Sequence, residues 1–169
     1  SCDSSVLSGD GRFVVFDSRA TNLVPGDVNG LHDVFLRDRQ TSTTELVSVS
    51  FLGYQGNGIS LYPWTSADGR YVTFRSHASN LVSGDGNGTG DIFIRDRQAA
   101  TTALVSVALS GGAGKAGGQK ASITADGRYV AFSSSSSNLV QGDTNSLEDI
   151  FVRDRQSGST ERVSLSTGG

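Results

Sequence analysis

The chain alternates short apolar runs with stretches of Gly, Asp, Ser and Thr, and this pattern repeats every 58 residues. The apolar run at 13–16 follows the tripeptide Asp-Gly-Arg, and the same arrangement returns at 71–74 and at 129–132. Short runs rich in β-branched and aromatic residues are typical of strands. No segment keeps an apolar period of 3.6 residues, so the sequence predicts an all-β protein.

Each repeat is predicted to contain four strands, a to d, separated by turn residues. In the first repeat strand a covers 4–8 and meets Asp10-Gly11, a strong hairpin signal that leads into strand b. Strand c begins at Asp33, and strand d is the run Leu-Val-Ser-Val at 46–49. A four-stranded antiparallel meander that recurs in tandem predicts a β-propeller. The whole chain is then one propeller module, 1–169, with blades at about 4–50, 62–108 and 120–166.

Two segments of the second repeat resemble a known family. The sequence Ser-Ala-Asp-Gly-Arg-Tyr-Val-Thr-Phe at 66–74 is similar to the strand-turn-strand core of the TolB-like, PD40-type propeller repeats, and Asp91–Asp96 is similar to their third strand. The resemblance extends over all three repeats. It implies a WD40-like propeller of a bacterial extracytoplasmic protein, periplasmic or secreted, and it implies no particular substrate.

The 58-residue repeat is longer than a WD40-type blade, which takes about 40–45 residues. The additional residues fall in the loop between strands b and c, at 19–32 in the first repeat, and in the connection from strand d to the next blade, such as 51–62. In a meander these two connections emerge at the same end of the blade. We therefore expect one enlarged face, and long loops on a rigid scaffold are where function usually lies.

Three blades are fewer than the roughly four to eight with which propellers close. Each blade of such an array buries its faces against its neighbours, so a row of three leaves two apolar faces exposed. The sequence therefore predicts a homodimer in which two chains form a six-bladed ring. A fragment of a longer propeller or larger assembly, and an unusual monomeric array, remain alternatives. The absence of methionine is taken to indicate a processed or trimmed chain.

Composition excludes several partners and sites. The formal net charge of −3 does not favour nucleic acid or an anionic membrane surface as a partner. No apolar stretch approaches the roughly 20 residues that span a bilayer. Cys2 is the single cysteine, so neither an intramolecular disulfide nor a cysteine-based zinc site can form.

Most of the charged residues recur with the repeat and are therefore predicted to serve the fold. Asp10 is expected to stabilise a hairpin turn, and Asp38 to form strand-end ion pairs or loop hydrogen bonds with Arg37 and Arg39. A residue needed once for catalysis has no reason to recur. His32 and His77 do not recur, and neither accompanies an evident nucleophile motif, so we expect no enzymatic activity.

The loop between strands b and c ends in the recurrent pattern Gly-Asp-x-Asn-x-x-x-Asp. Oxygen ligands at this spacing suit Ca²⁺, and the pattern resembles a shortened form of the Asp-x-Asn-x-Asp-Gly loops that carry calcium in other propellers. Asp and Asn also stabilise loops by bonding to their own backbone, so pure scaffolding is the alternative. No other cofactor is expected. The predicted metal ligands are Asp27, Asn29 and Asp33; Asp85, Asn87 and Asp91; and Asp143, Asn145 and Asp149.

Aromatic residues outside the repeat pattern mark one further candidate site. Phe51, Tyr54 and Tyr62 in the first connection between blades have no aromatic counterparts in the second. They are the predicted ligand-binding residues, because aromatic side chains supply large contact areas. Trp64 follows closely and is expected to pack near the propeller axis.

Three functions are compatible with these features. The first is a non-catalytic binding or assembly module that presents its enlarged loops to a protein partner. The second is a calcium-assisted, lectin-like propeller that binds carbohydrate. The third is a propeller fragment of a larger extracytoplasmic protein or enzyme.

Overall fold

The computed structural model describes residues 2–145 and 147–166. This part of the chain forms twelve strands and contains no helix, and hence no helix that could cross a membrane. The strands are β1 Cys2–Leu7, β2 Phe13–Ser18, β3 Asp33–Asp38, β4 Thr43–Leu46, β5 Ser60–Thr65, β6 Tyr71–Ser76, β7 Asp91–Asp96, β8 Thr101–Leu104, β9 Ala121–Ile123, β10 Tyr129–Ser134, β11 Asp149–Asp154 and β12 Ser159–Arg162.

The strands form three separate four-stranded antiparallel sheets, in the orders β1-β2-β3-β4, β5-β6-β7-β8 and β9-β10-β11-β12. The second and third strands have the same register in every sheet, since Phe13 pairs with Asp38, Tyr71 with Asp96 and Tyr129 with Asp154. The first strands contact one another from sheet to sheet, β1 with β5 and β5 with β9. The predicted all-β array of three propeller blades is confirmed.

The predicted position of strand d was wrong. The fourth strand of the first blade is Thr43–Leu46, and the apolar run at 46–49 mostly follows it. This strand is the outermost of its sheet and alternates between exposed and half-buried residues, so its sequence is polar. Val47 is buried in the apolar cluster between blades 1 and 2, and its backbone N–H bonds to Val34 O as the chain leaves the sheet. The apolar run therefore marks the buried segment that follows the fourth strand, and the strand itself is the polar segment before it.

The hydrophobic core consists of two layers, each lying between adjacent blades. The first layer joins Val15 and Leu36 of blade 1 to Phe74 and Phe93 of blade 2. The second joins blades 2 and 3 in the same manner. Every blade also stacks a phenylalanine of its second strand on one of its third, as Phe74 does on Phe93 at 6.0 Å between ring centroids. Burial between blades, and not within one sheet, thus supplies the core of a repeat array.

A recurrent contact, which we call the ring clamp, joins one blade to the next. The Phe13 ring of blade 1 lies between the guanidinium groups of its own Arg12 and of Arg97 from blade 2, each 4.7 Å from the ring centroid. Gly69 of blade 2 lies against the same ring, so closely that a Cβ there would overlap it. The second junction repeats this contact with Tyr71 of blade 2, its own Arg70, and Arg155 and Gly127 of blade 3.

The recurrent charged residues have structural roles, although one predicted pairing was wrong. The turn role of Asp10 is confirmed, because its carboxylate accepts hydrogen bonds from the Ser8 hydroxyl and the Arg12 backbone N–H. Asp38, however, pairs with Arg12, whose Nη2 lies 2.7 Å from Oδ2. Antiparallel pairing of Phe13 with Asp38 brings Arg12 across the sheet to this carboxylate. Arg37 donates to Thr44 instead, and Arg39 donates to Gly11 O.

Candidate functional site

In blades 1 and 2 the b–c loop and the connection to the next blade lie at the same end of the sheets, as predicted. We call the surface formed by these segments and by the b–c loop of blade 3 the loop face. Ser18 pairs with Asp33 where the first b–c loop begins and ends. Asn29 in that loop donates from Nδ2 to Gly56 O in the connection to blade 2, at 3.1 Å. The two connections are therefore bonded to each other.

The connection between blades is also bonded to the loop of the following blade. Asn57 N–H donates to Asn80 Oδ1, Ser79 N–H donates to Asn57 Oδ1, and Asn80 Nδ2 donates to Gln55 O. The asparagine of the recurrent Asn-Leu-Val motif thus has a structural role, because it holds the preceding connection by hydrogen bonds. In the next repeat Asn138 Oδ1 accepts from the Lys115 backbone in the same way. The long loops consequently form one continuous, hydrogen-bonded layer across the three blades.

Each b–c loop ends in two aspartates that we call the acidic pair: Asp27 and Asp33, Asp85 and Asp91, or Asp143 and Asp149. The second member is held by a serine of the Leu-Val-Ser-Val motif or its counterpart. In blade 2 the buried Ser106 hydroxyl donates to Asp91 Oδ1 at 2.7 Å and accepts from Ile92 N–H at 3.1 Å. Ser48 and Ser164 make the same two bonds in blades 1 and 3.

The three acidic pairs differ in what bridges their carboxylates. In blade 1 the Gln55 amide donates to both, at 2.8 Å from Asp27 Oδ1 and 2.9 Å from Asp33 Oδ2. In blade 3 the Arg162 guanidinium takes this role, with Nη1 at 3.1 Å from Asp143 and 3.4 Å from Asp149.

The middle blade has no such bridge among the described residues. Ala113 occupies the position that corresponds to Gln55, and Leu104 the position that corresponds to Arg162. Asn87 Nδ2 donates to Asp91 Oδ2 at 2.7 Å, whereas no described side chain donates to Asp85. The middle acidic pair is therefore the one with the least neutralised charge.

The pKa values of the pairs follow these surroundings. Burial, with the Asp91 carboxylate as the second cause, raises the pKa of Asp85 to about 6. Burial likewise raises the pKa of Asp91 and of Asp33. In blade 3 the hydrogen bond from Ser164, together with that from Asn145, lowers the pKa of Asp149. At the same position of the motif, the pKa of the carboxyl is therefore raised in blades 1 and 2 and lowered in blade 3.

The three loops fit a calcium ion to different degrees. In every loop the asparagine Oδ1 accepts from the backbone two residues on, as Asn87 Oδ1 does from Thr89 N–H, so the loop itself uses the predicted oxygen ligand. Bridging donors from Gln55 and Arg162 stand between the carboxylates of blades 1 and 3 and do not suit a cation. Within residues 2–145 and 147–166, no group of three or more His, Cys, Asp or Glu side chains is placed to hold a metal. Only in the middle blade does no described side chain bridge the two carboxylates.

The predicted aromatic patch is divided between two places. Phe51 and Tyr54 lie in a turn closed by the bond from Ser50 N–H to Tyr54 O, next to blade 2, whose Arg95 donates to Ser50 O. Tyr62 lies on β5 near Trp64, and the centroid of its ring is 5.7 Å from Lys120 Nζ. Trp64 is thus on the first strand of its sheet, where the three blades meet, and its side chain is 43% exposed.

Several residues of the loop face were not anticipated from the sequence. Ser48 and its equivalents recur in an apolar motif, and a buried polar residue at a repeated position was the signal that could have revealed them. Gln55 and Arg162 occur in one repeat each. Because they are distant in sequence from the aspartates that they bridge, only the packing of the connection and of β12 identified them.

The likeness of this chain to known proteins lies in its fold. No protein-family model and no curated protein matches the sequence. Solved structures do match. TolB from Acinetobacter baumannii superposes with a TM-score of 0.60 at 20% identity, over 98% of this chain and 33% of that one. A protein described as a TolB from Agrobacterium tumefaciens gives 0.64 at 18% identity, over 99% and 48%.

The β-propeller domain of the Trilobed protease from Pyrococcus furiosus gives a TM-score of 0.59 at 10% identity, over 99% of this chain and 43% of that one. The chain has the fold of a partial β-propeller. It spans between a third and about half of these three proteins. Such low identities show the fold alone, which is TolB-like in its architecture.

Proposed function

We propose that this propeller module is a non-catalytic binding or assembly module that engages a protein partner through its loop face. One observation carries the proposal: the ordered loop layer exposes apolar side chains. Phe51, Leu52 and Tyr54 are all more than 60% exposed, and Val28, whose N–H donates to Gln55 Oε1, is 85% exposed. Phe51, Leu52 and Tyr54 follow one another in a single hydrogen-bonded turn, and adjacent exposed apolar side chains on an ordered segment mark an interaction site.

The hydrogen-bonded loops favour tight binding because little conformational entropy is lost when a surface is already ordered. Aromatic residues such as Phe51 and Tyr54 are also the kind that dominate the energy of protein interfaces. The similar structures include the propeller domain of a protease. A module of a larger extracytoplasmic protein or enzyme, in which the propeller binds and another part reacts, is consistent with this role.

Replacing Phe51 and Tyr54 together by serine is expected to weaken partner binding by about 10- to 100-fold while leaving the fold intact. The immobilised chain would first capture proteins from an extracytoplasmic extract, and the Kd of each captured protein would then be measured for both forms. The matched control is Leu109→Ser, since Leu109 is the equivalent of Phe51 in the second connection. Equal affinities of the double variant and the unchanged chain would contradict the proposal.

A second candidate function, calcium-assisted carbohydrate binding, is favoured by the unbridged acidic pair of the middle blade. Asp85 and Asp91 are the carboxylates that a hard cation could neutralise there. The thermal midpoint in calcium against that in a chelator tests this function. A glycan array read under both conditions then tests carbohydrate binding. An unchanged midpoint would remove calcium from the account.

Asp85→Asn is expected to stabilise the calcium-free protein. The folded pKa of Asp85, about 6, lies above the ordinary pKa of 3.8 that the carboxyl has in an unfolded chain. Between these values the folded state holds a proton that the unfolded state lacks, so this carboxyl increases stability as pH falls through about 6 and reduces it above. The variant should therefore raise Tm at about pH 8, and the gain should vanish by about pH 4.

Asp143→Asn is the matched control for this substitution, because Asp143 is the same loop position but accepts from Arg162. Its Tm should fall. If calcium binds in the middle blade, Asp85→Asn should also abolish the calcium-induced rise in Tm. A lower Tm for Asp85→Asn at about pH 8 without calcium would contradict the unbridged state of this pair.

A further inference from the structure

The array has two outer surfaces that differ from all other blade faces. We call the side of blade 1 that faces away from blade 2 the head face, and the side of blade 3 that faces away from blade 2 the tail face. On the tail face Ile150 is 42% exposed, whereas the equivalent Ile92 and Val34 are completely buried against the next blade. On the head face Leu7 is 58% exposed, and the equivalent Ile123 is 9% exposed. Both surfaces are thus apolar blade faces without a neighbour among the described residues.

The two internal junctions show which chemistry covers such faces. At each one, the aromatic ring of the earlier blade is held in the ring clamp by an arginine and a glycine of the later blade. At the first junction Glu45 of blade 1 also pairs with Arg97, the arginine of the clamp. The junction therefore combines apolar burial, a cation–π contact and an ion pair at one arginine.

The tail face carries the first half of this junction. Tyr129 is the third equivalent of Phe13, and its own Arg128 lies 4.7 Å from the ring centroid. No described arginine lies on the other side of this ring. Glu161 is the equivalent of Glu45 and is exposed at the same edge. An aromatic ring and a carboxylate are therefore placed to receive a guanidinium group.

The head face carries the second half. Arg39 is the equivalent of Arg97 and Arg155, and all three donate from Nη1 to the glycine carbonyl of the a–b turn in their own blade. Arg39 is thus already held in the position from which the other two clamp a ring. Gly11, the equivalent of Gly69 and Gly127, has Arg39 Nη1 as its nearest neighbour, at 3.9 Å from a built Cβ. The space that a ring fills at the internal junctions is open here.

The a–b turns provide a third complementary contact. Gly9 N–H donates to Ala67 O, and Ala67 N–H donates to Ala125 O, so each blade bonds to the next through equivalent residues. This series leaves the Ala125 N–H at the tail face and the Gly9 carbonyl at the head face. The tail face therefore offers a hydrogen-bond donor and the head face offers the matching acceptor.

We propose that the tail face of one chain docks on the head face of a second copy, and that two such junctions close a six-bladed ring. Arg39 of each copy would stack on Tyr129 and pair with Glu161 of the other, Gly11 would face the same ring, and Ala125 N–H would donate to Gly9 O. Complementary, non-equivalent faces that bury each other in this head-to-tail manner form a closed ring when the successive rotations return to the start. The second copy is the occupant because its charges and its ring complement those already exposed.

The mass of the 169-residue chain in solution, from sedimentation equilibrium, tests the proposal. We expect two chains per particle. Arg39→Glu places two carboxylates at each junction and Glu161→Arg places two guanidinium groups there, so either single variant should raise the dimer Kd by at least about 30-fold. The double variant Arg39→Glu with Glu161→Arg restores opposite charges and should recover much of the affinity. Circular dichroism would show that all variants remain folded.

Gly11→Ala gives an independent steric test. Within one chain an added Cβ at Gly11 meets no ring, but in the closed ring it would overlap Tyr129 of the second copy, as a Cβ at Gly69 would overlap Phe13. We expect at least about 10-fold weaker association. Gly30→Ala is the control, because Gly30 has a similar φ of 65° and nothing within 4 Å of a built Cβ. It should leave the dimer unchanged.

Three results would overturn the proposal: a single-chain mass at tens of micromolar, a particle of three or more chains, or a dimer whose Kd is unaffected by Arg39→Glu, Glu161→Arg and Gly11→Ala. The loop-face variant with Phe51 and Tyr54 replaced keeps the head and tail faces intact and should remain a dimer. Loss of partner binding and loss of ring closure are therefore separable.

Discussion

Replacing Gly127 by alanine is expected to lower the free energy of unfolding by about 2–5 kcal/mol. Gly127 adopts φ 74°, which an L-residue with a Cβ adopts only with strain. The added Cβ would also overlap the Tyr71 ring, which Arg70 and Arg155 hold from both sides. Since this ring joins blades 2 and 3, relieving the overlap requires the junction to open. Urea unfolding, followed by circular dichroism, measures the loss.

The control separates backbone strain from steric overlap. Gly30→Ala introduces the same strain at φ 65° in a position where nothing lies within 4 Å of the new Cβ. It should cost about 1–2 kcal/mol. A Gly127→Ala variant no less stable than Gly30→Ala would mean that the junction adjusts without loss, and the ring clamp would then contribute little to stability.

Replacing Ser106 by alanine should cost about 2–4 kcal/mol, because two buried groups lose their partner at once. The Ile92 N–H loses its acceptor and the Asp91 carboxylate loses a donor, in a site where both Ser106 and Asp91 are completely buried. Protonation relieves the carboxylate, so the loss should be smaller at about pH 5 than at about pH 8. Thermal unfolding at the two pH values provides the comparison.

Ser48→Ala is the repeat-equivalent test, and it should show a loss of similar size because Ser48 makes the same two bonds in blade 1. Ser110→Ala, at an exposed position of the next connection, should change stability by no more than about 0.5 kcal/mol. If Ser106→Ala lowers the free energy of unfolding as little as Ser110→Ala does, Ser106 does not support the acidic pair of the middle blade.

The predictable part of the fold was the part encoded by local pattern. Asp-Gly at 10–11 indicated the first hairpin because glycine readily takes the positive φ that the turn requires, and Gly11 indeed has φ 70°. Strand d was misplaced because its position depends on exposure. The outermost strand at Thr43–Leu46 is polar on its solvent side, and Val47 directly after it is buried in the apolar cluster between blades 1 and 2.

The candidate site was predictable as a set of positions and not as a chemistry. The sequence placed Asp27, Asp85 and Asp143 at equivalent positions and gave no reason to distinguish them. Their surroundings differ because Gln55 comes from the following connection and Arg162 from the outermost strand. Partners that are remote in sequence and occur once leave no periodic signal.

The 58-residue repeat by itself determined the first three strands of each blade, the number of blades and the shared end of the long loops, because each follows from turn residues and from apolar spacing within one repeat. Only the tertiary structure decided what happens between repeats. Arg97 and Arg155 clamp rings of the preceding blade, and the middle acidic pair remains unbridged. Such contacts depend on how blades stack, which no pattern within a single blade contains. The same stacking leaves Tyr129 and Arg39 as complementary halves of a junction at opposite ends of the chain.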